Sequence, residues 1–349
     1  MILGPQPRAD FFHRVTSGDG GLLDLAECVP EVQIEFAPVA SRISARCDEW
    51  LADPRCRLFF RSLHSGFVVN PTANAFAETI EKAPIIAINS GLVWRVHELW
   101  FTLFAHPDFL PHIAGDASRA RPFVTLRAGL PVTEGAIRSS TAGILWRQHM
   151  TPFNSTRTAM ALVMSQMAVE FAWYHELGHL SQGHCGFIGL HDGTSRLSEL
   201  EATRKGYHLE PSVLQALEYD ADGFAIQAAL GNRLMLDYFD QARIPSDRPE
   251  GFASREMSFY CWAMAIAGLF RLFAQSSGSF EDSTECTHPH PLLRALASGI
   301  TVATSSALRN ERDRERIVDV CARASIDLAG YWRRFEIPGH ENDPSENDA

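Results

Sequence analysis

The residues best suited to chemistry lie in FAWYHELGHLSQGHC, 171–185, where His175, Glu176 and His179 interrupt an apolar run and His184 follows. On a helix, residues four apart stand about 40° apart around the axis, so His175 and His179 present both imidazoles to one point. Glu176, about 100° round from His175, can reach a water held at that point. This is the spacing logic of an H-E-x-x-H metal site with its general base. The plain alternative is three polar residues that share a helix by accident. It is weakened by the apolar surroundings, where unligated imidazoles and a carboxylate are costly to bury.

Two histidines do not hold a catalytic zinc; a third protein ligand is required. The metzincin pattern is excluded, because its glycine and third histidine fall on Gln182 and Cys185. His184, five residues past His179, leaves the ligand face and reads as a capping or supporting histidine. The better third ligand is in LEYDADGFA, 217–225, where Glu218 and Asp222 are four apart among Leu217, Ala221, Phe224 and Ala225. Glu218 is expected to ligate, and Asp222 to orient a ligand or pair with an arginine.

The elements that must position these groups are mostly helices. A long buried helix over RTAMALVMSQMAVEFAWYHELGHLSQ, capped by Asn154, Ser155 or Thr156 and stopped by Gly183 and Gly186, carries the histidines. After a polar connector, 187–210, Pro211 opens a second helix that Gly231 ends, and this one carries the acids. Further helices are expected at about 254–275, from Pro291 through Leu308, and over 311–335. Upstream, VQIEF (32–36) reads as a short strand, 41–52 as a helix ended by Asp53-Pro54, PIIAIN (84–89) as a strand, and 92–106 as a helix closed by Pro107. The expected fold class is α+β, mainly α-helical. Its parts are an N-terminal α/β region (1–114), a loop-rich insertion that could serve as a lid (115–156), a helical metal-site region (157–338) and a disordered tail (339–349).

Composition narrows the partners. With 349 residues, 46% hydrophobic and 21% charged, the chain can bury a sizeable core. A net charge of -11 leaves no basic stripe to neutralise phosphates, so no nucleic-acid partner is expected. The seven cysteines form no CxxC pair, which argues for a reducing cytoplasm. The N-terminus lacks a signal-like pattern. The longest apolar run, 257–270, is too short for a membrane span, so no membrane association is expected.

Four blocks together resemble the gluzincin metallopeptidases of the HtpX and CAAX-prenyl-protease type. NAFA (74–77) with PIIAINSGL resembles their strand and helix start, HELGHLSQGH their H-E-x-x-H-x-x-x-x-H, EYDADGFA their acidic helix, and THPHPLLR (287–294) their H-P-x-x-x-x-R. The resemblance implies a zincin-like fold with the H-E-x-x-H helix beside a small N-terminal sheet. It also implies one Zn²⁺ per chain on His175, His179 and Glu218, with Glu176 as base. By the same resemblance His288 stands near the metal to steady an oxyanion, and Arg294 pairs with Asp222. Asn74, Ala75, Phe76 and Ala77 belong to an edge strand against which an extended peptide lies. The expected activity is a soluble zinc endopeptidase acting on a protein or peptide. The chain departs from the family in its long stretch between Leu92 and His175. A soluble protein with this arrangement is also similar to phage-exclusion peptidases of the Lit type. The competing reading is a zinc-bearing regulatory or protein-binding module with little or no proteolysis.

Overall fold

The computed structural model describes residues 6–28, 30–54, 62–111, 155–193, 196–198, 209–231, 255–276, 291–304 and 311–334. The fold is mainly helical with one small mixed sheet, an α+β architecture. In chain order the described elements are α1 (Gln6–Thr16), a 3-10 turn (Ser17–Asp19), α2 (Pro30–Ala52), β1 (His64–Val68), β2 (Ala75–Ile80), β3 (Ala83–Asn89) and α3 (Ser90–Ala105). Then follow α4 (Ser155–Ser181), α5 (His184–Asp192), β4 (Arg196–Ser198), α6 (Pro211–Gly231), α7 (Arg255–Ser276), α8 (Pro291–Thr304) and α9 (Glu311–Arg334). The expected lid as far as Asn154 and the tail lie outside the described residues, while Ser155 and Thr156, counted with the lid, open α4.

The sheet order is β1-β3-β2-β4, with β1 and β3 parallel and the other pairs antiparallel. The β2–β3 hairpin closes through Glu81 and Lys82, both left-handed at φ 52 and 66, the backbone of a tight two-residue turn. The sheet is covered on both faces, which explains the continuous apolar run of β3. Ile85, Ala87, Val68 and Phe76 pack with Phe12 of α1, while Ile86, Ile88, Ala75 and Ala77 join the main core. Asn89 leads straight into α3, where Gly91 is required: a Cβ there would stand 2.1 Å from the Pro71 carbonyl oxygen.

The main core is built around α4, whose residues from Met160 to Leu180 are mostly buried because the helix packs against α3, α6, α7 and the sheet. Its first turn is anchored by Arg157, which donates from Nε to the Phe104 carbonyl at 2.6 Å and from Nη2 to the His106 and Phe109 carbonyls at 2.6 and 2.7 Å. These close off the carbonyl end of α3. Midway, Trp173 Nε1 donates to Ser65 Oγ of β1 at 2.9 Å, which ties the helix to the sheet just before His175. Among the described residues no helix is long and apolar enough to cross a membrane.

Three local expectations need correction. VQIEF is part of α2, not a strand: Val32, Phe36, Val39, Ile43 and Cys47 are buried at helical spacing, and Ile34 is 52% exposed. Five residues of alternation were too short a window to separate the two periods. Gly183, at φ 81, does break α4, but Gly186 lies inside α5, so the expected connector begins with a helix. The third concerns Asn74, Ala75, Phe76 and Ala77: β2 is not an edge strand, because β3 pairs along one side and β4 covers Phe76, Ala77 and Glu78 on the other. Arg196 of β4 clamps this pairing, lying 3.6 Å over the Phe76 ring and holding Asp19 through two hydrogen bonds of 2.7 and 3.1 Å.

Candidate metal centre

Two helices meet where the acids face the histidines. Gly178 makes the approach possible, since a Cβ there would lie 3.1 Å from the Ala221 Cα and carbonyl oxygen of α6. Side by side, α4 offers His175, Glu176 and His179, and α6 offers Glu218 and Asp222, all buried.

His175, His179 and Glu218 bring their ligand atoms within 4.8 Å of one another, a group that could hold a metal ion. His175 Nε2 and His179 Nε2 are 3.0 Å apart. Glu218 reaches them with Oε2 at 3.2 Å and Oε1 at 3.5 Å. An ion bound tetrahedrally at about 2.0–2.1 Å sets its ligand atoms about 3.3 Å apart, so the triangle fits.

The hydrogen-bond pattern assigns the tautomers. A carboxylate only accepts, so His175 donates from Nδ1 to Asp222 Oδ1 at 2.9 Å and its Nε2 keeps the lone pair. His184 likewise donates from Nε2 to Asp220 Oδ2 at 3.1 Å. Burial lowers the His184 pKa, partly offset by Asp220, and with its proton on Nε2 the ring accepts at Nδ1. His179 therefore donates from Nδ1 across 2.9 Å, leaving its own Nε2 as a lone pair. Two lone pairs and a carboxylate then face one point, an arrangement that could hold a cation.

Acidic groups and one guanidinium surround the cluster. Burial alone would raise the Asp222 carboxyl, but Arg294 and His175 hold it below the usual carboxylate range. Arg294 forks onto Asp222 with two bonds of 2.8 Å, lies 3.7 Å from Glu218, and stacks 4.3 Å over Phe270. Glu218 and Asp222 both face this guanidinium, and Glu176 is buried on the facing helix, so the surroundings of the cluster are rich in carboxylates. Cys185, buried nearby, is not part of this cluster; burial, with the charges of Glu176 and Glu78, pushes its thiol up.

The structure thus brings together His175, Glu176, His179, Glu218, Asp222 and Arg294. His288 lies outside the described residues. Asn74 to Ala77 are buried on the sheet that backs α4. His184 stays off the ligand set, as expected, but its link to Asp220 was not foreseen from the sequence. The only available signal was a third acid inside LEYDADGFA, two residues from each of the others. No protein-family model, curated protein or solved structure matches this chain.

Proposed function

We propose that the chain is a zinc-dependent endopeptidase of the gluzincin kind, with a zincin-like core, acting on a protein or peptide. The observation that carries this reading is the convergence of two imidazole lone pairs and the Glu218 carboxylate, with Glu176 next to His175 on the same buried helix. His175, His179 and Glu218 would hold the ion; two histidines and one carboxylate are a donor set typical of catalytic zinc. When bound, zinc polarises a scissile carbonyl and makes water nucleophilic near neutral pH.

The chain's own residues do the rest. Glu176 takes the attacking water's proton and delivers it to the leaving amine. Asp222 keeps the His175 proton on Nδ1, and Arg294 keeps Asp222 ionised. Burial strengthens each of these contacts, because little water competes for them. The four-block resemblance to the HtpX and CAAX-prenyl-protease families supports the same assignment and extends it to His288 as the oxyanion partner. The seven scattered cysteines, with no CxxC pair among them, fit a cytoplasmic setting.

The test compares wild-type protein with Glu176→Gln. Elemental analysis should give one zinc per chain in both. New N-termini in a cell lysate should form with wild type only, and a chelator should block them; loss of one general base typically slows such chemistry about 10²–10⁴-fold. Zinc without cleavage in either protein would make the chain a zinc-bearing binding module. Cleavage that survives Glu176→Gln would remove Glu176 from its assigned role.

A further inference from the structure

We infer that His184 and Asp220 are positioning residues: they form a relay that fixes the ring of His179, so that this ligand is held through a second imidazole and not by a carboxylate directly. The inference rests on the metal reading above and adds two residues to it.

The geometry is continuous from the ligand atom to the surface. His179 Nδ1 stands 2.9 Å from His184 Nδ1, and His184 Nε2 stands 3.1 Å from Asp220 Oδ2. The His184 side chain is 6% exposed, whereas that of Asp220 is 57% exposed. His184 arrives because Gly183 turns left-handed at φ 81, ending α4 and starting α5 one residue later. The turn is held by Gly183 N–H donating to the Leu180 carbonyl at 3.3 Å and Phe187 N–H donating to the Gly183 carbonyl at 3.0 Å. The relay therefore has a fixed base, and the two rings meet at 64° between planes with centroids 5.1 Å apart.

The two ligating histidines are thus supported unequally. His175 leans on Asp222, a buried carboxylate clamped by Arg294. His179 leans on a second imidazole whose far end is an acid at the water boundary. A supporting partner of a metal-bound histidine sets its tautomer and orientation, and losing one typically weakens metal binding by about 10–100-fold. His184 should show this in full, and Asp220 less, because solvent screens its charge.

The full-length protein is stripped with a chelator and its zinc affinity measured by competition with a chromophoric chelator, for wild type, His184→Ala, His184→Asn, His184→Gln and Asp220→Asn. His184→Ala should bind zinc about 10–100-fold more weakly while its metal-free melting temperature is unchanged. Asn places its oxygen where the ring Nδ1 stands, so it can accept from His179 and should recover most of the loss. Gln reaches past that point and should not. Cobalt substitution adds a spectroscopic readout: His184→Ala should shift the visible ligand-field bands and His184→Asn should restore them. Should His184→Ala fail to fold, Asn against Gln decides, and equal affinities would overturn the relay. Wild type that binds zinc tightly, alongside His184 variants that bind it equally well, sinks the relay alone. Wild type that binds no zinc sinks the metal reading and the relay with it.

Discussion

Replacing Glu218 with Gln separates the metal from the fold. The substitution keeps the side-chain volume and removes one of the two buried carboxylates that face Arg294. In chelator, two effects oppose each other: repulsion from Asp222 is relieved, and attraction to Arg294, 3.7 Å away, is lost. Each is of order 4 kcal/mol for unit charges about 4 Å apart at an effective dielectric near 20, so the metal-free variant should melt close to wild type. With zinc the two diverge. At a thousandfold excess over the dissociation constant, a ligand that binds only the native state adds about 4 kcal/mol. An unfolding entropy of about 2.1 cal/mol/K per residue over 349 residues is about 0.7 kcal/mol/K, so wild type should gain about 6 °C. If losing the charged ligand weakens binding about a thousandfold, the variant gains only about 0.4 kcal/mol, under about 1 °C. The assay is a pair of thermal melts, in chelator and then in zinc. A Glu218→Gln protein that keeps the wild-type zinc shift would refute the ligand assignment.

Gly178→Ala should press a methyl against the α6 backbone, destabilise by about 1–3 kcal/mol and weaken zinc binding, since α6 carries Glu218 and Asp222; chemical denaturation with and without zinc reads both effects. Arg294→Met leaves Asp222 buried without its guanidinium, and should cost about 3–5 kcal/mol in the same measurement. His97 offers a pH prediction away from the metal. Burial pushes its pKa from 6.5 down to about 3, so the ring is neutral and its 3.4 Å approach to Glu35 is no ion pair at neutral pH. On acidification the unfolded chain takes up this proton first, so the stability is complete above pH 6.5 and is lost as pH falls toward about 3. The slope is at most about 1.4 kcal/mol per pH unit, and His97→Phe should lack it in denaturation curves at pH 7 and pH 4.5; equal slopes in the two proteins would rule this out.

What could be read from the sequence was whatever the backbone decides locally. Four-residue spacing places His175 with His179 and Glu218 with Asp222 on one face of any helix, whatever surrounds it. Pro211, Gly231 and Pro291 mark helix ends because proline lacks a backbone donor and glycine tolerates the terminal turn, and the structure starts and ends those helices there. The convergence of the two pairs was legible only by chemical argument: a buried imidazole pair needs a third ligand, and one suitable acid pair stood on an apolar helix.

What escaped the sequence depends on partners far along the chain. Strand β4 has three residues, too few for a period, and the strand it covers lies more than a hundred residues earlier, so nothing near NAFA shows that β2 is internal. His184 and Asp220 are separated by 36 positions and meet only after Gly183 turns the chain back toward α6. Ile34 misled because alternation over five residues satisfies a strand and a helix face alike; the burial of Val39, Ile43 and Cys47 decides for the helix. The ligands of the candidate site are therefore local facts about two helices, while the groups that hold His179 in place and close the edge of β2 are facts about the fold. Substitutions at Glu218 probe the first kind, and substitutions at His184 the second.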